Sequence, residues 1–421
     1  MIVMSSVLFR EVIDPRLCTN CGTCVGVCPE SAITMNIDAS KGVYIPTLTG
    51  KCNGCGTCIK VCPGLVVDFK ELNLVLFNKS PNDYLLGNYV HCYVGYATDY
   101  RVRYNSSSGG LVTSLLLFAL DYGMIDGALV TKMDDKHPLI SLPYLARSRQ
   151  DIISAAGSKY CPNPINAGLK HIIKHQGRFA VVGLPCHIHG IRKAQLILED
   201  LKDKIAFCFG LACHSTPSFK ATEYILKNLG INRQDVVSIA YRGKGWPGGM
   251  TIKLRNGTEL FVPFKSTIYW GRAFTLFFKP FRCSLCEDKT NELADVSFMD
   301  AWLPEFLEKD KIGTSLIISR SKHGDELIRK AKKEGYIEVS TIHCDAIIRS
   351  QALEYAKRSF AARYLIMKAL GKRVPLYNKS ILPPKLHNFR DAFLFYLRNN
   401  PYISKNYRII TALIKLARHR R

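Results

Sequence analysis

The chain has 421 residues, 47% of them apolar, which suits two or three globular domains with sizeable cores. Lysine and arginine outnumber aspartate and glutamate by 58 to 34, a formal net charge of +24. No nucleic-acid-binding motif accompanies this charge, so we expect acidic small molecules or acidic proteins as partners, and no nucleic acid. No apolar run reaches the roughly 18 residues of a membrane span, and no secretory signal is recognisable. The 16 cysteines therefore indicate a reducing cytoplasm.

A cysteine pattern is written twice within the first 70 residues. Each copy reads Cys-x2-Cys-x2-Cys-x3-Cys-Pro, the ligand run of a bacterial two-cluster ferredoxin, in which the fourth cysteine of each copy binds the other cluster. Zinc sites use separated pairs and disulfide frameworks need an oxidising compartment, so both alternatives are disfavoured. We predict a ferredoxin-like domain over residues 1–70 with two 4Fe–4S clusters. One is held by Cys18, Cys21, Cys24 and Cys62, and the other by Cys52, Cys55, Cys58 and Cys28.

Residues 71–88 contain a turn-rich segment and are predicted as a linker. From 89 to 345 strand and helix patterns alternate, which predicts a mixed α/β domain. The predicted strands are 89–97, 125–131, 178–182, 204–209, 236–241, 250–254, 259–263 and 315–319, with a hairpin turn at Asn256-Gly257. The predicted helices are 109–122, 186–198, 217–229 and 324–334. The fold class is therefore α+β.

Residues 346–421 are helical in pattern, aromatic and strongly basic, and we predict a helical C-terminal extension. Its end, 407–421, is a candidate amphipathic basic helix. Such a helix either lies on an acidic membrane surface or a partner, or packs on its own domain with a solvated basic face. Both interpretations stay open, and the location is cytoplasmic with peripheral membrane association as an alternative.

Four of the eight remaining cysteines form a candidate third ligand set. Cys186 follows a predicted strand at the start of a helix, where backbone N–H groups favour an anion, and Cys213 follows the next strand. Cys283 and Cys286 form a local pair. These four suit a third 4Fe–4S cluster, with a redox pair or a zinc site as alternatives and Cys161 as a competing ligand. We expect Cys92, Cys208 and Cys344 to be core residues.

Several motifs, in order, resemble the beta subunits of coenzyme F420-reducing hydrogenases and F420-linked dehydrogenases. They are Ser107-Ser108-Gly109-Gly110-Leu111-Val112-Thr113, Gly157-Ser158-Lys159-Tyr160, Gly183-Leu184-Pro185-Cys186, Cys283-x2-Cys286 and Glu292-Leu293-Ala294-Asp295. With the fused ferredoxin-like unit, the chain is similar to the electron-input subunit of the F420H2 dehydrogenase complex. The resemblance implies FAD, an adjacent 4Fe–4S cluster held by Cys186, Cys213, Cys283 and Cys286, and hydride exchange with coenzyme F420. Cys161 stands where the family pattern requires no cysteine.

The same resemblance implies the cofactor contacts. For FAD these are Ser108, Gly109, Gly110, Thr113, Gly157, Ser158, Lys159 and Tyr160. A basic, glycine-rich loop carrying Arg242 and Lys244 is expected to receive the anionic deazaflavin. Asp300 and Trp302 are expected to line the flavin site, and no catalytic acid or base is assigned.

The expected activity is an F420-dependent oxidoreductase that passes single electrons to or from ferredoxin or a partner subunit. Two departures from the family pattern, His214–Ser218 after Cys213 and Met299 before Asp300, leave the substrate open. The alternatives are a ferredoxin-dependent flavin/iron–sulfur reductase of another substrate and an electron-transfer subunit without a substrate of its own.

Overall fold

The structure is a computed structural model that describes residues 7–81 and 83–399. The N-terminal unit contains a turn of π-helix, Phe9–Ile13, two one-turn helices, Thr23–Gly26 and Thr57–Lys60, and a hairpin of Ile33–Asp38 and Val43–Leu48. Each one-turn helix follows a glycine of left-handed conformation, Gly22 (φ 80°) or Gly56 (φ 72°). The repeat seen in the sequence is therefore repeated in the backbone.

The first half of the predicted linker is helical. Helix Phe69–Phe77 begins at Asp68, whose carboxylate accepts a hydrogen bond from the N–H of Glu71 (2.9 Å), and ends at Asn78 in the left-handed conformation. Phe69 and Leu72 are buried. This helix packs on the rest of the protein through Phe69 and Leu72, so the first part of the predicted linker is ordered, and the irregular part begins after Phe77.

An eight-stranded mixed sheet forms the centre of the molecule. Its strands, in spatial order, are Ile337–Thr341, His91–Ala97, Ser315–Ser319, Val296–Asp300, Ile205–Leu211, Phe179–Gly183, Gly127–Met133 and Ser141–Ala146. The four from Val296–Asp300 to Gly127–Met133 are mutually parallel, and the other pairings are antiparallel. Parallel strands are covered on both faces, which explains their continuous apolar runs. The mixed α/β architecture agrees with the predicted fold class.

Helices cover both faces of this sheet. They are Tyr100–Asn105, Leu111–Asp121, Arg149–Ser154, Leu169–Lys174 after a 3₁₀ turn at Ile165–Gly168, Pro185–Gln195, Glu199–Lys204, Phe281–Ser284, Pro304–Lys309 and Lys322–Lys333.

A smaller sheet of Val236–Ala240, Gly249–Leu254 and Glu259–Pro263 packs with helix Phe219–Asn228, a 3₁₀ turn at Arg233–Asp235 and a π-helix at Thr267–Phe277. Its predicted hairpin turn is confirmed, with Gly257 at φ +85°.

The C-terminal extension contains helices Cys344–Ser350, Leu353–Ala369 and Leu386–Asn399. Between the last two, the strand Leu376–Tyr377 pairs in parallel with Val66–Val67 of the N-terminal unit, a contact that the sequence did not predict. The candidate amphipathic helix at 407–421 lies outside the described residues. Within the described ranges, no helix has both the length and the apolar character to cross a membrane.

Candidate functional site

The eight cysteines of the N-terminal unit form two groups that correspond to the crossed assignment. The thiol of Cys24 is coupled electrostatically to Cys21, Cys18 and Cys62 and, with the smallest effect, to Cys58 of the other group, while Cys58 is coupled to Cys55, Cys28 and Cys52. Burial raises the pKa of Cys18 to about 12 and that of Cys58 to about 11. These sulfurs therefore need a bound cation to exist as thiolates at neutral pH.

The spacing of the sulfurs suits a cluster better than a single ion. Four thiolates around one zinc at ~2.3 Å would lie about 3.8 Å from one another. Within residues 7–81 and 83–399, the trio of potential ligand atoms found within 4.8 Å of one another is His343, Cys344 and Asp345, none of them in these groups. The sulfurs of each cysteine group are electrostatically coupled but are not all within 4.8 Å of one another. They therefore leave room for a cluster larger than one metal ion.

Polar groups surround these sulfurs at equivalent positions of the repeat. Thr23 Oγ1 is hydrogen-bonded to Cys21 Sγ (3.1 Å), and Thr57 Oγ1 to Cys55 Sγ (3.4 Å). The N–H of Asn20 points at Cys18 Sγ (3.4 Å). Hydrogen bonds to ligand sulfurs are one means by which a protein adjusts the potential of an iron–sulfur cluster. Cys55 is exposed, so the group that contains it lies at the surface.

The candidate third ligand set comes together between the sheet and the N-terminal unit. Cys186 lies in the first turn of helix Pro185–Gln195, and Cys213 follows strand Ile205–Leu211. Cys186 is coupled electrostatically to Cys213, Cys283 and Cys286, and also to Cys21 of the first group. Cys161 is not among its partners and places its thiol on Ser141 Oγ instead (3.3 Å). The Cys186/Cys213/Cys283/Cys286 group and the Cys18/Cys21/Cys24/Cys62 group are thus neighbours. We call these two the inner groups, and the Cys28/Cys52/Cys55/Cys58 group the outer group.

A cavity of about 570 Å³ opens at the carboxyl ends of the four parallel strands. This is the edge at which open α/β sheets bind their ligands, and the volume lies within the usual range for cofactor sites. Its lining includes Cys18, Cys186, Cys213, Cys283 and Cys286. It also includes seven of the predicted FAD contacts, namely Ser108, Gly110, Thr113, Gly157, Ser158, Lys159 and Tyr160.

The loop before helix Leu111–Asp121 is fixed by hydrogen bonds that leave its end open to the cavity. Ser108 Oγ donates to the carbonyl of Thr314 (2.7 Å), and the N–H of Gly109 donates to Ser315 Oγ (2.8 Å). The N–H of Gly109 is therefore occupied by an internal hydrogen bond, and Gly109 does not line the cavity. A Cβ atom there would lie 2.7 Å from the carbonyl oxygen of Gly95, which explains the need for glycine.

Lys159 does not offer its ammonium to a ligand. Its Nζ donates to the carbonyls of Ala155, Ala156 (2.9 Å) and Gly157 (2.8 Å), at the end of helix Arg149–Ser154. Burial lowers its pKa to about 8. The predicted charge contact is thus replaced by a structural one, although Lys159 and Tyr160 both line the cavity.

The two cations of the predicted deazaflavin loop lie in different places. Lys244 is half-exposed and paired with Glu259, outside the cavity. Arg242 is buried behind the wall, where its guanidinium donates to Tyr160 Oη (3.1 Å), Asp300 Oδ2 (3.2 Å) and the carbonyl of Ser107. It also packs against the ring of Phe264, 4.4 Å from the centroid. Arg242 therefore positions cavity residues and does not line the cavity.

Several lining residues had no signal in the sequence. Asn163 has a buried Oδ1 without a hydrogen-bond partner, and His214 exposes its ring to the cavity. Trp270 and Phe274 contribute aromatic surface from the π-helix. A long apolar slot with hydroxyls, a helix start and an unused amide oxygen fits a flavin nucleotide. Asp300 and Trp302, at and just after the end of the buried strand Val296–Asp300, also line this cavity, and their contact with a flavin stays a prediction.

Comparison with known proteins gives matches along most of the chain. The model "Coenzyme F420 hydrogenase/dehydrogenase, beta subunit" matches in two parts, its N-terminal part at residues 92–170 and its C-terminal part at 176–344. A 4Fe–4S dicluster domain matches residues 17–72.

Curated relatives include the coenzyme F420 hydrogenase subunit beta of Methanosarcina barkeri, 30% identical over 62% of this chain and 84% of the relative. The corresponding hydrogenase subunit beta of Methanothermobacter thermautotrophicus is 29% identical over 69% of this chain and 99% of the relative. Among solved structures, a chain of the F420-reducing [NiFe] hydrogenase complex of Methanosarcina barkeri superimposes with a TM-score of 0.50 at 26% identity, covering 66% of this chain and 95% of that one.

Proposed function

Because the chain belongs to the family of coenzyme F420 hydrogenase/dehydrogenase beta subunits and carries a 4Fe–4S dicluster domain, we propose that it exchanges hydride between coenzyme F420 and FAD. Single electrons then pass through three 4Fe–4S clusters to or from ferredoxin or a partner subunit. The observation that carries this proposal is the shared cavity. Seven of the predicted flavin contacts, the third cysteine group and Cys18 all line it.

The residues of the cavity have distinct roles in this proposal. Ser108, Gly110 and Thr113 stand at the start of helix Leu111–Asp121, where N–H groups and the helix dipole favour a pyrophosphate. Tyr160 and Asp300, held by Arg242, line the cavity and would contact the flavin ring. A bound flavin supplies the conversion between two-electron hydride chemistry and one-electron steps. The buried walls exclude water from the reacting atoms.

The hydride reaction can be tested by anaerobic titration of protein with full iron and flavin. Adding reduced coenzyme F420 should bleach the flavin absorbance, because the deazaflavin delivers two electrons as hydride. NADH serves as the control donor and should leave the spectrum unchanged. An unbleached flavin in fully loaded protein contradicts the proposal. Full iron without flavin points to an electron-transfer subunit that has no substrate of its own.

The third cluster can be tested by comparing two cysteine variants. Cys186→Ser should lower the iron content by about one third, since one of three clusters loses a ligand. Cys161→Ala is the matched control, because Cys161 lines the same cavity without coupling to the group. It should retain its iron. Iron loss in Cys161→Ala together with full iron in Cys186→Ser would make Cys161, and not Cys186, a ligand of the third cluster.

A further inference from the structure

Arg282 is a buried cation between the two inner cysteine groups. It stands in helix Phe281–Ser284, directly before Cys283, and is 5% exposed. Its Nη1 donates to the carbonyl of Leu285 and its Nη2 to that of Pro63, both at 3.1 Å. Pro63 follows Cys62 of the first ferredoxin group, and Leu285 precedes Cys286 of the third group. The guanidinium therefore joins the backbones that carry both ligand sets.

No carboxylate in the described part of the chain forms an ion pair with Arg282. Its neighbours are Tyr377, whose hydroxyl lies within hydrogen-bonding reach and whose ring centroid is 5.9 Å from the guanidinium carbon, and the cysteines Cys286 and Cys186. Arg282 lines the same cavity as Cys18 of one group and Cys186 and Cys286 of the other. An unpaired buried cation is costly, so an anionic partner is expected.

The Nε–H of Arg282 supplies an independent observation. This buried donor has no hydrogen-bond partner in the described structure, while Nη1 and Nη2 are both used. A buried unsatisfied donor on a charged group costs free energy and calls for an acceptor. Iron–sulfur clusters are anionic and accept hydrogen bonds at sulfur. The positive charge of Arg282 and its unused Nε–H donor therefore both call for an anionic hydrogen-bond acceptor.

We propose that Arg282 is the shared counter-charge of the Cys18/Cys21/Cys24/Cys62 cluster and the Cys186/Cys213/Cys283/Cys286 cluster, and that it raises the reduction potential of both. A nearby positive charge stabilises the reduced, more negative form of each cluster. The inference rests on the third cluster of the proposed function. The hydrogen bonds of Arg282 reach the backbone beside Cys62 and Cys286 and no residue adjacent to Cys28, Cys52, Cys55 or Cys58 of the outer group. Arg282 is thus a positioning residue for electron transfer between the inner pair.

Two lysines provide matched controls because each serves one group. Lys193 Nζ donates to the carbonyl of Cys62 (2.8 Å) and is coupled to Cys62 and Cys21. Lys289 acts electrostatically on Cys213 and Cys286. Removing either charge should shift the potential of one inner cluster, whereas removing Arg282 should shift both.

The experiment is an EPR-monitored redox titration of the full chain with its clusters. Arg282→Gln should move both inner potentials to more negative values and leave the outer cluster unchanged. Lys193→Gln should move only the first ferredoxin cluster, and Lys289→Gln only the third. Signals of the third cluster are assigned by their absence in Cys186→Ser. If Cys186→Ser keeps all its iron, the assignment of the third cluster is wrong. This outcome is distinct from a failure of the Arg282 proposal, which is read from the potentials.

Arg282→Lys keeps the positive charge but loses the paired hydrogen bonds to the carbonyls of Leu285 and Pro63. The reduction potentials of the two inner clusters should therefore change less in Arg282→Lys than in Arg282→Gln. Unchanged potentials in Arg282→Gln with full iron overturn the proposal, and so do equal shifts of all three clusters. Loss of iron in both Arg282 variants would assign the residue a structural role, and that also overturns the proposal.

Discussion

The carboxylate of Asp295 shows how one buried side chain ties several elements together. It accepts hydrogen bonds from Arg192 Nη2 (3.0 Å) and the N–H of Cys208 (2.7 Å), and it pairs with His323 Nε2 (3.0 Å). Burial raises its pKa, but these partners outweigh burial and hold the pKa well below its ordinary value. The charge of Asp295 is therefore permanent at neutral pH, and it stabilises the helix that begins at Pro185.

His323 should make stability depend on pH in a defined direction. Burial lowers the pKa of His323, but Asp295 raises it more, so the folded pKa lies above the ordinary 6.5. The resulting stability is present below pH 6.5 and is lost as the pH rises through the folded pKa. The side chain is half-exposed (53%), so the effect should stay under about 1 kcal/mol.

The measurement is anaerobic thermal unfolding of the native protein and of His323→Gln. The native protein should melt higher by a margin that shrinks between about pH 6 and about pH 8. A margin that grows with pH would contradict the assignment.

At the scale of elements, the loop that carries Cys283 and Cys286 is held from behind by the C-terminal extension. Lys357, 1% exposed, donates to Glu292 Oε1 (2.6 Å) and the carbonyl of Tyr84 (3.0 Å) and pairs with Glu287 (2.9 Å). Lys379 pairs with the same two carboxylates, at 2.7 and 3.1 Å. Four charges thus cancel in a closed, buried cluster next to the ligand loop.

Removing one charge from this cluster should be strongly destabilising. Lys357→Met leaves two buried carboxylates, Glu287 and Glu292, to share Lys379, so one buried negative charge is uncompensated, for which about 3–5 kcal/mol is the usual cost. Lys372→Met, at an exposed position after the same helix, is the control and should change stability by less than about 0.5 kcal/mol. Urea unfolding under anaerobic conditions provides the comparison. Equal effects of both variants would show that Lys357 is not energetically coupled to its neighbours.

The elements that the sequence predicts well are those whose pattern is local. The strands at Phe179–Gly183 and Ile205–Leu211 are continuous apolar runs, and their ends correctly indicated Cys186 and Cys213 as neighbours. The role of Lys357 was not predictable, because its partner Glu292 lies 65 positions away and a basic segment ordinarily suggests a solvated face. The strand Leu376–Tyr377 has only two residues, too few to form a recognisable pattern.

At the scale of the whole molecule, the ferredoxin unit is part of the protein's main body. Val27, Val61 and Val67 lie in one buried cluster with Phe179 and Ile188 of the central domain. Gly26 approaches so closely that a Cβ atom there would lie 1.9 Å from the carbonyl oxygen of Asn166. Such packing fixes the distance between the inner cysteine groups, which electron transfer requires.

The two-stranded pairing at Leu376 should control how firmly this unit is held. The N–H of Leu376 donates to the carbonyl of Leu65 (2.7 Å), so Leu376→Pro removes the donor. We expect faster hydrogen exchange around Val66–Val67 with the iron content unchanged. Leu376→Val keeps the N–H and serves as the control. Unaltered exchange in the proline variant would show that packing alone holds the unit.

The pairing of Leu376–Tyr377 with Val66–Val67 can form only late in the synthesis of the chain. Val66 and its partner Leu376 are 310 positions apart (376 − 66), so at ~5–20 residues per second the ribosome needs about 15–60 s to connect them. During that interval the N-terminal unit emerges without the strand Leu376–Tyr377 that later pairs with it. We expect its cysteines to take up iron more readily before the chain is finished. Ribosome-bound chains that end before Leu376 should then accept iron more readily than the completed apoprotein, which a radiolabelled-iron incorporation assay would measure.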